Sequence, residues 1–433
     1  MTTRDGRADG MTGQGSGGRD AARRAAVERA ARGVLAHGGG TVDRPVHGDT
    51  LPLAYVRTAP RGDAPPLVVV PGGPGLASVL PYVALRAEAT RRGLDVLMVE
   101  HRGIGLSRRL RGGDDVPGEA VTVAAVVDDL AAVLDAAGVE RAVLLGASYG
   151  SYVVQAFGTR HPDRVAGMVL DSPVLAPADD LAACRAHRRR LLWDGDLRAD
   201  DDPALVGVAE AVRSLADEVP AADLAHVVQV VHEFAGPQVL HRLLLARRAG
   251  RLRAVWDRVA TLGSGEVAGA GQPFVMEPDL VAGIMDDELG YALPPDGGPL
   301  DPQLAFADAA ARHEGGGGGS PAAPVDLPAA LPTFTWPVAV LSGDRDLRTP
   351  RPVAERVVGL APDSVLVPLA GTGHSALDTH RAAALLAARA VAAGAAHRLP
   401  DLAPRLAALP RRGPSRHVGT ALAAVVRATT RRP

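Results

Sequence analysis

Residues 142–150 read Ala-Val-Leu-Leu-Gly-Ala-Ser-Tyr-Gly. The apolar residues run without a polar break to Gly146-Ala147-Ser148-Tyr149-Gly150, after which Tyr149–Arg160 takes a helical pattern. A short run that is apolar on both faces is the pattern of a strand buried in a parallel sheet. A Gly-x-Ser-x-Gly turn between such a strand and a helix lets the flanking backbone pack closely, because neither glycine carries a Cβ. The serine hydroxyl is then driven up over the sheet edge. The helix that follows aims the positive end of its dipole at any negative charge developing there.

The same rhythm extends outward. Thr41–Val46 and Leu51–Thr58 flank a His47-Gly48-Asp49 turn and read as a hairpin. Leu67–Val70 and Leu94–Val99 are short apolar strands, closed by Pro71-Gly72-Gly73-Pro74-Gly75 and by Arg102-Gly103-Ile104-Gly105. Val121–Ala137 reads as a helix stopped by Gly138, and Ala166–Leu170 as another strand. This alternation predicts an α/β protein with a mostly parallel sheet covered on both faces. The rhythm stops at Pro177, gives way to a helix-rich stretch containing the Gly315–Gly319 run, and resumes with strands at Pro337–Leu341 and Ser364–Leu369 and a helix from Ala376.

The expected organisation is therefore one α/β core, residues 41–176 and 333–395, interrupted by a helical cap insertion over 177–332. A flexible N-terminal tail is expected over 1–40, with a short helix around Ala21–Leu35, and a basic C-terminal tail over 396–433. The second tail carries eight Arg against one acid, Asp401, and reads as solvated.

Composition narrows the function classes. The chain of 433 residues is 47% hydrophobic, enough for a large core, and its net charge of -2 gives no general reason to bind nucleic acid. It contains no Lys and no Asn, so there is no acceptor for N-glycosylation. Cys184 is the single cysteine, so no intrachain disulfide calls for an oxidising compartment. The Gly- and Arg-rich N-terminus lacks the apolar segment of a secretory signal. No apolar run reaches the roughly 20 residues that cross a bilayer. A cytoplasmic protein with neither a membrane nor a nucleic-acid partner is expected. Oligomeric state is not written in any motif.

A serine hydroxyl is a weak nucleophile and needs a base, itself oriented by an acid. In a fold of this kind the two partners follow the serine, acid first. Gly343-Asp344-Arg345-Asp346 follows a strand, and Gly371-Thr372-Gly373-His374-Ser375 follows the next. His374, on its glycine-flanked loop, is the expected base. Spacing alone leaves both Asp344 and Asp346 open as the acid. Acyl transfer also needs N–H donors for an oxyanion. Tyr149 supplies one and the loop Pro71–Gly75 the other; Pro74 has no N–H, so Gly73 is the first candidate and Gly72 the second. The loop lacks the spacing and the Lys of a phosphate cradle. No step of this chemistry calls for a metal or an organic cofactor.

Together, Pro71–Gly75, Glu100-His101-Arg102-Gly103-Ile104-Gly105-Leu106-Ser107, Gly146–Gly150, Gly343–Pro350 and Gly371–Ser375 resemble the prolyl aminopeptidase (proline iminopeptidase) and tripeptidyl aminopeptidase group of α/β-hydrolases. The resemblance spans about Thr41 to Ala395. It implies an α/β-hydrolase core with an inserted helical cap, a serine aminopeptidase activity, and Asp346 as the acid of a Ser148–His374–Asp346 triad. It further implies that cap carboxylates hold the free ammonium group of a peptide substrate. Glu233-Phe234-Ala235-Gly236-Pro237 and Met285-Asp286-Asp287-Glu288 resemble the stretches concerned, which points to Glu233 and Glu288. Two positions depart from the group. Pro71 stands where its members often have His, as in some tripeptidyl relatives, and Glu100 stands where Asp is usual. A small ester or lactone is the alternative substrate for the same machinery.

Overall fold

The computed structural model describes residues 14–58, 64–262, 271–290, 293–306, 324–412 and 416–430. The Gly315–Gly319 run lies outside the described residues. The apolar runs become strands β1 (Gly39–Val46), β2 (Asp49–Arg57), β3 (Leu67–Val70), β4 (Val96–Val99), β5 (Ala142–Ala147), β6 (Val165–Asp171), β7 (Val338–Gly343) and β8 (Ser364–Leu369). They form one eight-stranded sheet in the order β1-β2-β4-β3-β5-β6-β7-β8. β1 and β2 pair antiparallel around His47 and Gly48, and β2 meets β4 antiparallel. From β4 to β8 every pair is parallel.

The central strands β3–β7 are almost wholly apolar because both faces are buried. Along β5, Leu144 enters one apolar cluster while Val143 and Leu145 enter the other. The helices on the Leu144 side include α3 (Val123–Ala136) and α4 (Tyr149–Arg160), and α3 is capped by the Thr122 side chain accepting from Ala125 N–H. On the opposite side lie α2 (Val83–Arg91) and a later helix, Arg381–Ala392. Because β3 and β5–β8 run in one direction, the loops that leave their C-terminal ends gather along one edge. Those loops are Pro71–Gly75, Ser148, Asp344–Pro350 and Ala370–Ser375.

Between β6 and β7 the chain forms α5 (Pro177–Arg189), α6 (Ala204–Leu215), α7 (Ala221–Ala235), α8 (Pro237–Arg248) and α9 (Arg253–Ala260). Helices α6–α9 share an apolar cluster with Leu191 and Leu192, to which the core contributes Leu347. The remaining helices are α10 (Leu327–Ala330), α11 (Arg351–Leu360), α12 (Ala376–Thr379), α13 (Arg381–Ala392), α14 (Leu399–Ala407) and α15 (Arg416–Thr430). No described helix is long and apolar enough to cross a membrane.

The chain ends differ from the tails expected. Helix α1 runs Gln14–Gly38, longer than the stretch read from sequence, and leads straight into β1. Ala31 is fully buried and Val34 and Leu35 pack on the α2 side of the sheet, a stripe at helical spacing. At the other end, α14 sends Leu399, Ala403 and Leu406 into the same cluster. Arg411 then donates to the Gly371 carbonyl beside His374, and α15 packs on α7 and α8, with Gly419 against the Phe234 carbonyl. Arginine content made residues 396–433 read as solvated. The spacing of Leu399, Ala403 and Leu406, one face of a helix, is what docks them.

This placement predicts a measurable cost. Leu399→Ala removes a side chain only 1% exposed, and should lower unfolding stability by about 2–5 kcal/mol in a denaturant titration. A solvated tail residue would cost under about 0.5 kcal/mol.

Candidate active site

Ser148 sits at φ 50, ψ -122, a backbone conformation that non-glycine residues rarely adopt. Holding it costs on the order of 1–3 kcal/mol. Its surroundings over-determine it. Ser148 N–H donates to Asp171 O at 2.9 Å, and Ser148 O accepts from Ser151 N–H at 2.8 Å and from Ser151 Oγ at 2.6 Å. Both flanking glycines are required: a Cβ at Gly146 would overlap the Gly150 carbonyl, and one at Gly150 would overlap the carbonyl oxygens of Val70 and Pro71. A Cβ at Gly72 would stand 3.3 Å from Ser148 Cβ, so the loop with the expected oxyanion donors lies directly against the serine.

His374 Nδ1 lies 3.0 Å from Asp346 Oδ2 and 3.1 Å from Oδ1. Of the two aspartates left open by spacing, Asp346 is buried at 1% exposure and bonded to the imidazole, whereas Asp344 is exposed. Asp346 also accepts from the N–H groups of Arg348 (2.9 Å) and Thr349 (3.0 Å) and from Thr349 Oγ1 (3.1 Å). Burial alone would raise the Asp346 pKa. The His374 charge and these donors outweigh it and hold the carboxyl at about 2. Burial presses the His374 imidazole down, while Asp346 presses it further up, so its pKa stands above the ordinary value. With Nδ1–H donated to the carboxylate, Nε2 is left to accept a proton.

Several supports went unread in the sequence. Asp171, at the end of β6, accepts from Ala376 N–H (2.9 Å) and Leu377 N–H (2.7 Å), and Ser172 Oγ accepts from Ser375 N–H (3.0 Å). This anchors the loop immediately after His374 to the strand that also holds Ser148. An acid at the C-terminal end of a buried strand was the available signal. Glu100, fully buried at the end of β4, accepts from Ser78 N–H (2.5 Å) and Val79 N–H (2.9 Å), just beyond the Pro71–Gly75 loop. Burial lifts its pKa to about 7. A strap from the insertion closes over the same loop: Glu277 N–H donates to Gly75 O at 2.9 Å, Ala77 N–H to Val275 O at 3.0 Å, and Glu277 Oε2 accepts from Gly105 N–H at 2.6 Å.

The two cap acids part ways. Glu233 is 3% exposed; its Cβ and backbone press on Gly373, its Oε1 accepts from Leu347 N–H at 3.4 Å, and its Oε2 lies 3.4 Å from Arg348 Nε. Glu288 lies elsewhere, accepting from Val123 N–H at 2.9 Å at the start of α3. There it complements the helix dipole.

The match of residues 65–381 to the family described as alpha/beta hydrolase fold covers most of the chain. The chain belongs to the alpha/beta hydrolase fold family. A protein of Caulobacter sp. (strain K31) named for a carbamate hydrolase, RutD, is 29% identical over 160 residues, 37% of this chain and 54% of that one. The chain thus spans about half the length of this curated relative. Among solved structures, Est816, described as an N-acyl homoserine lactone degrading enzyme, aligns at 18% identity and a TM-score of 0.41, covering 78% of this chain and 94% of that one. A thermophilic esterase from Thermogutta terrifontis aligns at 19% identity and a TM-score of 0.40, covering 82% and 94%.

The geometry predicts a pH profile. A base at His374 works only when neutral, so its raised pKa places the acid limb of kcat/KM above the ordinary imidazole value of 6.5. Asp346→Asn should lower kcat by about 10⁴-fold through loss of the correct tautomer, while Asp344→Asn should leave it within a few-fold. A pH–rate series on the wild type and both variants checks limb and ranking together.

Proposed function

We propose that this hydrolase is a serine hydrolase, with Ser148, His374 and Asp346 as nucleophile, base and acid. The observation that carries the reading is the strained Ser148 at the head of β5, held between two glycines that admit no side chain. Ser148 attacks an acyl carbon as His374 takes its proton. Asp346 fixes the imidazole tautomer and stabilises the imidazolium. Tyr149 N–H and the Gly73 N–H, or its neighbour at Gly72, receive the oxyanion. His374 returns the proton to the leaving group. Water, activated by the same imidazole, then releases the acyl group.

For the substrate we propose a peptide N-terminus. Glu233 supports this reading, since it packs on the loop of His374 and sets a buried carboxylate on the neighbouring Asp346 loop. Glu288 gives it less support, being engaged at the start of α3. A second reading, small esters or lactones, is favoured by one observation: Glu233 already faces the Leu347 amide and Arg348, which compete with any substrate ammonium.

Two measurements test these readings. Ser148→Ala should abolish fluorophosphonate labelling and lower kcat on the order of 10⁴-fold or more, with an unchanged unfolding curve; labelling that persists at another serine would refute the assignment. For the peptide reading, an aminoacyl amide with a free amine should be cleaved about ten- to a hundredfold better than its N-acetyl form, the worth of a charged hydrogen bond. Glu233→Gln should shrink that preference and spare p-nitrophenyl esters. Equal cleavage of the free and acetylated amides, or cleavage of esters alone, selects the second reading.

A further inference from the structure

One peptide group links the insertion to the acid of the site. The carbonyl of Leu347 accepts from Arg188 Nε at 2.8 Å and from Cys184 Sγ at 3.1 Å, both on α5. The N–H of that same peptide group belongs to Arg348 and donates to Asp346 Oδ1 at 2.9 Å. A guanidinium, a peptide and a carboxylate therefore lie in series. A cation on the carbonyl side polarises the peptide and strengthens its N–H as a donor, most of all where water is excluded. Water is excluded here: Arg188 is 3% exposed, Leu347 1% and Asp346 1%. Leu347 itself is packed in the apolar cluster of α6–α9, while α5 holds its carbonyl, so the turn after Asp346 is seated in the insertion as well as in the sheet.

Arg188 has no carboxylate partner among the described residues. Its other acceptors are Leu300 O at 3.3 Å and the Gln229 side-chain oxygen, both neutral. A buried cation bonded only to neutral oxygens is costly to desolvate and serves stability poorly. We infer that Arg188 is a positioning residue for Asp346, acting through the Leu347–Arg348 peptide, so that the insertion sets the geometry and field of the triad acid. The inference rests on the serine-hydrolase reading above. The titratable and charged groups that face the Asp346–His374 pair are Arg348 from its own loop, Glu233 from α7, Asp171 from the end of β6, and Cys184 and His187 from α5. Burial holds His187 at about 4, so near neutral pH it is uncharged and Arg188 is the cation that α5 contributes.

The test uses the full chain and the rate of fluorophosphonate labelling at Ser148 across pH, which needs no knowledge of the substrate. Arg188→Met should slow labelling about ten- to a hundredfold, in the maximal rate rather than the half-saturating concentration, as small misplacements of reacting groups do. Removing a cation near the imidazolium should also move the acid limb to higher pH. Arg188→Lys, which keeps the charge, should return the limb toward the wild-type position. Gln229→Glu sets a carboxylate against the guanidinium and should move the limb upward as well, with little change in fold; it decides the matter should Arg188→Met not fold. A wild-type limb in folded Arg188→Met or in Gln229→Glu, or a loss confined to half-saturation, overturns the inference alone. A wild type that does not label at Ser148 overturns the serine-hydrolase reading, and this inference with it.

Discussion

Two missing Cβ atoms set the position of everything along the functional edge. With no side chain at Gly146 or Gly150, the turn after β5 settles against the end of β3, close enough that any larger residue would overlap backbone oxygens. That contact forces Ser148 into its positive-φ conformation and brings Gly72 up against it. The turn is also tied sideways, by Ser148 N–H to Asp171 O, and Asp171 and Ser172 in turn hold the backbone after His374. Serine, the Pro71–Gly75 loop and the histidine loop are thus referred to one point on the sheet. The strain is maintained because each of these ties would have to break before it could relax.

The features legible in the sequence were those whose physics is local. A strand buried on both faces must be apolar at successive positions, so β3 and β5–β8 stand out as runs. The Ser148 turn needs glycine at fixed offsets, and His374 follows two glycines, Gly371 and Gly373, on its loop. Each signal lies within a few residues of the group it concerns. What stayed hidden depends on chain segments meeting from afar. Nothing near Leu347 says that Arg188 will bond its carbonyl, and nothing near Glu288 says that its carboxylate will cap α3. Spacing left Asp344 and Asp346 open, since both follow β7; the resemblance pointed to Asp346, and Asp346 is the one hydrogen-bonded to His374. Composition misled at the chain ends, where many arginines masked the apolar stripes of α1 and α14.

The insertion between β6 and β7 therefore shares in the site. Its strap pairs with the backbone of the Pro71–Gly75 loop, Glu233 buttresses Gly373, and α5 grips the peptide after Asp346. Each of the three loops around Ser148 has the sheet on one side and the insertion on the other. Substitutions in α5 or α7 would be felt at the reacting groups through these contacts, although no residue there bonds Ser148.

The path of the C-terminal segment carries a mechanical consequence. A flap joined to a body at two points can swing about the line between them, and the insertion leaves and rejoins the sheet at just two, after β6 and before β7. The strap on Pro71–Gly75 and the α5 contact at Leu347 already oppose that swing, and the last helix adds to them. α14 is bedded under β8, Arg411 touches the histidine loop, and α15 lies across α7 and α8, so the chain returns to fasten the insertion from a further side. A plate mounted at three points not in line has no pivot.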